Sequence, residues 1–164
     1  MQAAQAGDAD ALEQLFRRHW PAAHRAAFLV VHDAVAAEDI AQEAFLAAVR
    51  ALDRFDRRRP FAPWLHRIVI NRAIDFARAR ALRREVGEQP EAAAALDPPA
   101  WSDAVTEALA HLDPEQRAVI VLRHLLEYTP GEIAKILGLP RGTVNSRIRR
   151  GLDRLAVALG EESA

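Results

Sequence analysis

Apolar residues recur three and four positions apart along almost the whole of this chain, and nowhere do they alternate as a strand requires. That spacing restricts the fold to helices. Leu12, Leu15 and Phe16 open the pattern in a helix from about Ala9. Pro21 marks a kink or a restart, because proline lacks the N–H that a helix interior uses. Ala22–Val31 continues as a strongly apolar helix. Asp33 caps a third helix, whose buried stripe reads Ile40, Phe45, Leu46 and Val49 and which ends near Phe55. Pro63 suits the first turn of a fourth, from about Trp64 to Arg84, with Leu65, Ile68, Val69 and Phe76 inward.

From Glu85 to Pro99 the pattern stops. Gly87, Pro90, Pro98 and Pro99 flank an alanine-rich acidic run, the composition of a linker. Helical spacing then resumes. Asp113-Pro114 is a cap followed by proline at the first helical position, and opens a helix that ends near Glu127. Thr129-Pro130-Gly131-Glu132 has the form of a capping box, and the short helix it starts stops at Gly138. A tight Leu139-Pro140 turn leads into a last helix from about Gly142 to Leu159. The reading is an all-α fold of two small helical domains, residues 1–84 and 103–164, joined by a short acidic linker over 85–102. With 164 residues in all, each has a thin core.

Composition removes several function classes. There is no cysteine, which excludes disulfides and thiolate-held metal and fits a reducing compartment. No apolar run approaches the ~20 residues of a membrane span. The stretch Met1–Asp10 is polar and small, unlike a secretory signal. A cytoplasmic protein is expected. The six histidines are scattered, with no metal pair four residues apart and none beside a serine–aspartate set, so no enzyme, metal site or cofactor is expected.

The net charge of −1 conceals how charge is arranged. Residues 54–84 hold ten arginines against Asp56 and Asp75, and residues 85–116 hold eight acids and no base. Residues 117–164 are basic again, with eight cations against five acids. Two basic segments separated by an acidic one suit two anionic contacts, although a charge block by itself is also just a solvated face.

Thr129–Arg150 has the pattern of a helix-turn-helix. Ala134 is small where the second helix crosses, Gly138 permits the sharp turn, and Leu137, Leu139, Val144 and Ile148 lock the two helices. The second helix then offers Thr143, Asn145, Ser146, Arg147, Arg149 and Arg150, donors suited to phosphates and to base edges in the major groove. The plainer alternative is a helical hairpin with an arginine-rich face. Upstream, Phe61, Trp64, Arg67, Asn71 and Arg72 interleave aromatics with cations, as suits unstacked bases. Phe61 and Trp64 suit core positions equally well. On the third helix Asp39 and Glu43 share a face with Gln42 beside them, and no histidine lies at a matching offset.

Taken together these segments resemble bacterial RNA polymerase sigma factors of the extracytoplasmic-function (ECF) class. Ala37–Phe45, Arg54-Phe55, Pro60-Phe61, Trp64-Leu65, Arg67-Ile68, Asn71 and Ile74-Asp75 resemble sigma domain 2. Leu112, Arg117, Val121-Leu122-Arg123, Glu132-Ile133-Ala134, Gly138, Gly142-Thr143-Val144 and Ser146-Arg147 resemble sigma domain 4. The resemblance implies a factor that binds core RNA polymerase and directs it to promoters, with no reaction of its own. It implies that Asp39, Gln42 and Glu43 dock on a coiled coil of the largest polymerase subunit. Phe61, Trp64, Arg67, Asn71 and Arg72 are implied to capture the −10 element as it opens, with a base flipped out near Asn71. The helix-turn-helix is implied to read the −35 element as duplex. Core RNA polymerase and promoter DNA are the implied partners, and an anti-sigma factor is a common further partner in the class. The rival reading is an autonomous helix-turn-helix regulator that acts without polymerase. Such proteins are usually dimers, and no leucine-rich dimer helix follows the recognition helix.

Overall fold

The computed structural model describes residues 1–87 and 102–162, so most of the stretch read as a linker lies outside the described residues. Regular structure among those residues is helical: α1 (Gln2–Gln5), α2 (Ala9–Val31), α3 (Ala34–Arg50), α4 (Phe61–Glu85), α5 (Asp103–Ala110), α6 (Pro114–Ile120), α7 (Pro130–Leu137) and α8 (Arg141–Glu162). A 3₁₀ turn over Leu52–Arg54 follows α3, and α6 runs into a π-helical turn over Val121–Leu125.

The helix starts follow the capping residues. Asp8 accepts from the Ala11 N–H at 2.8 Å, and Asp33 accepts from the Ala36 N–H at 2.9 Å. Each satisfies a donor that the first turn leaves without an intrahelical partner. Pro21 does not restart the helix, because α2 is continuous through it. The proline lies on the exposed side, where water can satisfy the carbonyl it leaves unpaired. Ala23, Ala26, Ala27, Leu29 and Val30, all fully buried beyond it, hold the helix in place.

The stripe on α3 also differs from the sequence reading. Leu46 and Val49 are 54% and 44% exposed, and the buried side is Ala37, Ile40, Ala41, Ala44, Phe45 and Ala48. The alanines decide this, since small side chains let α3 lie close against α2 and α4. At about 100° per residue, Leu46 then falls on the far side from Ala44. In the second half α8 crosses α6 at Gly151, where a Cβ would stand 3.1 Å from Ile120 Cγ1.

The two halves pack against each other through one continuous set of buried residues. Polar contacts cross the seam. His32 Nε2 lies 2.6 Å from the Thr106 carbonyl oxygen, and His66 Nδ1 lies 2.7 Å from the Tyr128 hydroxyl. Arg117 donates to the Val30 carbonyl, and Arg78 pairs with Glu115. His66 is 5% exposed and its Nε2 has no partner. The tautomer that orphans no buried N–H therefore donates from Nδ1 to the Tyr128 oxygen.

Burial holds both histidines neutral and lowers each pKa to about 4. Arg117 and Arg80 beside His32, and His19 beside His66, add to the penalty on a second positive charge. A depressed histidine pKa means that the unfolded or opened chain binds the extra proton first. Stability from these sites is thus complete above about pH 6.5 and lost as pH falls toward about 4. The melting temperature, followed by circular dichroism, should fall across that window. Replacing His32 and His66 by Gln should remove most of the slope, while carboxylate titration keeps its own contribution lower down.

Candidate nucleic-acid interface

The helix-turn-helix forms as its residues dictate. Glu132 N–H donates to Thr129 Oγ1 at 3.3 Å, and Thr129 N–H donates to Glu132 Oε2 at 2.8 Å, closing the box at the start of α7. The Thr129 N–H and hydroxyl, both donating to Glu132 Oε2, hold the Glu132 carboxyl below its ordinary pKa. Gly138 ends α7 at φ 64°, a left-handed conformation that suits glycine, and the Leu139 N–H reaches back to the Ala134 carbonyl at 3.0 Å. Val144 is fully buried, and Leu137, Leu139 and Ile148 pack partly buried against the core. Ile133 and Ile136 share that work, although the sequence reading passed over them.

On α8 the buried line runs Val144, Gly151, Leu155. At about 100° per residue Ser146 points opposite it, with Asn145 and Arg149 on one shoulder and Thr143, Arg147 and Arg150 toward the other. Asn145, Arg149 and Arg150 are exposed, while Thr143, Ser146 and Arg147 are half-buried. Arg150 is folded back on its own helix, donating to Ser146 Oγ at 3.2 Å and to the Ser146 carbonyl at 3.3 Å. The arc is wide enough to meet a groove floor and both of its phosphate rims.

On α4 the same construction puts Trp64, Arg67, Asn71 and Asp75 in one outward stripe. Arg67 and Asn71 are exposed, and Trp64 is half-buried. Phe61 is not on this surface. It is 7% exposed and underlies the stripe, with its ring centroid 5.7 Å from Trp64, 5.8 Å from Phe55 and 5.0 Å from His19. Its ring meets that of Trp64 edge-on. Arg72 also stands apart, rotated toward α3, where its guanidinium meets Glu43 at 2.9 Å. Trp64 and Arg67, together with Arg54, Phe55 and Arg59, line a cavity of about 910 Å³.

Asp39, Gln42 and Glu43 are exposed on α3, with Gln42 donating to Glu38 at 3.2 Å. The structure adds residues that sequence reading missed. Val35, Leu46 and Val49, 67%, 54% and 44% exposed, fall on the same line as Asp39 and Gln42. The signal was in the numbering: 35, 39, 42, 46 and 49 alternate steps of four and three, the spacing of a face that meets another helix.

Three chemically distinct surfaces thus lie on one small helical chain: an apolar-acidic face on α3, an aromatic-cationic stripe on α4 and a donor-rich arc on α8. Comparison with known proteins gives the family. Residues 15–83 match Sigma-70 region 2, and residues 102–155 match Sigma-70, region 4. The chain is 38% identical over 158 residues to the ECF RNA polymerase sigma factor SigM of Mycobacterium tuberculosis, covering 94% of this chain and 80% of that one. It is 32% identical to the RNA polymerase sigma factor CarQ of Myxococcus xanthus, covering 94% and 92%. Among solved structures it resembles CnrH in complex with the cytosolic domain of CnrY, at a TM-score of 0.74 and 34% identity over 98% of this chain and 94% of that one. It also resembles the sigma factor RpoE of Bartonella quintana in complex with the anti-sigma factor NepR, at a TM-score of 0.76 and 25% identity over 90% and 96%. The chain belongs to the ECF class of RNA polymerase sigma factors.

The placement of Phe61 carries its own expectation. Phe61→Ala should lower the unfolding free energy by about 3–5 kcal/mol, the range for a buried aromatic cut back to a methyl group. Denaturant titration measures it, and a loss below about 1 kcal/mol would return Phe61 to the surface.

Proposed function

We propose that three surfaces divide promoter-directed initiation between them. The line Val35, Asp39, Gln42, Leu46 and Val49 on α3, with Glu43 at its edge, docks on a coiled coil of core RNA polymerase. Trp64, Arg67 and Asn71 on α4 take up the opened −10 element, with Phe61 as support. Thr143, Asn145, Ser146, Arg147 and Arg149 on α8 read the −35 element as duplex, while Arg150 braces the helix until DNA competes for it. The observation that carries this reading is the separation of the surfaces: each has a different chemistry and each lies on its own helix.

The division gives each module a distinct task. Residues 1–84 bind polymerase and the −10 element, and residues 103–164 bind the −35 element. Flipping a base out costs a few kcal/mol of stacking, which an aromatic and amide pocket built in advance offsets. The protein directs polymerase and performs no chemistry itself. No helix among the described residues is long and apolar enough to cross a membrane, and a factor of this kind works in the cytoplasm. The RpoE structure holds an anti-sigma factor, and we take a protein of that type as a further partner here.

In vitro transcription with core polymerase tests the reading directly. Promoter-specific starts should appear only with both proteins present. Tight, sequence-specific duplex binding by the chain alone at physiological salt would favour the autonomous regulator instead. Replacing Asp39, Gln42 and Glu43 with Ala should change stability by less than about 0.5 kcal/mol, since all three are exposed and the Glu43–Arg72 pair is open to solvent. Affinity for core polymerase in a pull-down titration should nevertheless fall, and unchanged binding would remove α3 as the docking face.

The DNA surfaces separate by template. Arg147→Ala should weaken holoenzyme binding to closed duplex by about 1–3 kcal/mol if the arginine reads a base, with other sequences affected less. Asn71→Ala should spare the closed complex and slow opening, and the defect should shrink on a template already unpaired across the −10 element. Equal defects on both templates would take Asn71 out of the base pocket.

A further inference from the structure

We propose that Gln5 is a positioning residue for the −10 site: its amide holds the loop Asp56–Pro60 where that loop forms part of the cavity wall beside Trp64. This builds on the −10 reading of α4. The Gln5 side-chain nitrogen donates to the Leu52 carbonyl at 2.8 Å and to the Phe55 carbonyl at 2.9 Å. Both partners are acceptors, so the NH₂ end of the amide faces them and both of its N–H groups are used. The two carbonyls bracket the 3₁₀ turn over Leu52–Arg54 that leads from α3 toward the loop. The Leu52 carbonyl also accepts from the Phe55 N–H at 3.1 Å, whereas no backbone N–H reaches the Phe55 carbonyl among the described residues. Gln5 therefore fixes the point at which the chain leaves the turn.

Gln5 is itself held in place. Its neighbour Ala4 is 4% exposed and belongs to the core. The chain after α1 folds back on it, with the Asp8 N–H donating to the Ala3 carbonyl at 3.0 Å, and Asp8 in turn caps α2. The amide thus extends from a short helix tied to the body of the first module.

Beyond the Phe55 carbonyl lies the cavity. The Phe55 ring stands 4.8 Å from that of Trp64 and 5.8 Å from that of Phe61. Phe55, Asp56, Arg59 and Pro60 line the same 910 Å³ as Trp64 and Arg67. The two sets of lining residues are held by different means. Trp64 and Arg67 ride on α4, which Leu65 and Val69, both fully buried, anchor in the core. The loop has only short-range bonds of its own: Arg59 N–H to the Asp56 carbonyl at 2.9 Å, and Arg58 N–H to Asp56 Oδ1 at 3.0 Å. Those bonds shape the loop, and the Phe55 ring and the Gln5 amide tie its start to the module. A recognition site discriminates when its groups are held to within about 0.5 Å of their productive places. Loss of the amide therefore loosens the loop wall, and with it base preference at −10, while α4 stays as it is. Gln5 lies 47 and 50 residues from its two partners, which is why no local pattern marks it.

The test uses the full chain with core polymerase and two duplex pools, one randomised across the −10 element and one across the −35 element. Gln5→Glu keeps the length of the side chain and replaces the donating nitrogen by an oxygen that the two carbonyls repel. Gln5→Lys returns N–H donors on a stem one bond longer. Selection by the Gln5→Glu holoenzyme should show base preference reduced at least threefold at one or more −10 positions. Its −35 preference and its affinity for core polymerase should stay within about twofold of the unaltered protein. Gln5→Lys should regain most of the −10 preference. Hydrogen exchange read by mass spectrometry, with no DNA present, should run about tenfold faster at Arg58 and Arg59 in Gln5→Glu and be unchanged along α4. Unchanged −10 preference overturns the proposal, as does unchanged exchange in the loop. A parallel loss at −10 and −35, or a loss that Gln5→Lys leaves in place, also overturns it, since either makes Gln5 a stabiliser of the fold alone. If the unaltered holoenzyme selected nothing from either pool, the sigma-factor reading would fail instead, and the exchange data would still report on Gln5.

Discussion

A single buried cation ties this molecule together. Arg117 is 8% exposed, and no carboxylate lies within bonding distance of it among the described residues. Its guanidinium instead donates to the carbonyls of Leu109 at 2.9 Å, Ala110 at 3.1 Å and Leu112 at 2.9 Å, and to the carbonyl of Val30. Leu109 and Ala110 close α5, Leu112 lies in the turn that follows it, and Val30 lies in the last turn of α2. Such ends carry orphan acceptors and the negative pole of the helix dipole, so they are where a buried cation can be solvated by backbone alone. Burial lowers the Arg117 pKa to about 10, which still leaves it charged at neutral pH. One side chain therefore organises the turn between α5 and α6 and fastens that turn to the first module.

What could be read from the sequence follows from which forces are local. The signals at Asp33, Thr129–Glu132, Pro114 and Gly138 are short-range, and the helix start or stop that each implies is present. The donors of α8 were legible for the same reason, since the turn at Gly138 fixes which way that helix faces. The α3 stripe was misread because size was taken as the measure of burial. Where two helices approach closely, alanine is the residue that goes inside, and Leu46 and Val49 are left exposed. Phe61 and Trp64 were balanced between core and surface, and the structure divides them, one beneath and one at the rim. The seam between modules was not legible at all. His32 with Thr106 and His66 with Tyr128 are separated by more than sixty residues, and no periodic pattern relates positions so far apart.

The electrostatics of the chain make sense in this arrangement. The ten arginines of residues 54–84 would repel one another if all faced solvent from one helix and its loop. Several are instead matched to acids from other segments: Arg72 to Glu43, Arg80 to Asp33 at 3.2 Å, Arg78 to Glu115. Arg58 is matched within the loop to Asp56 at 3.0 Å, and that contact holds the Asp56 carboxyl below its ordinary pKa. Arg67, on the stripe, has no such acid among the described residues. Much of the basic segment is thus neutralised scaffolding, and Arg67 is a cation of the α4 stripe left exposed.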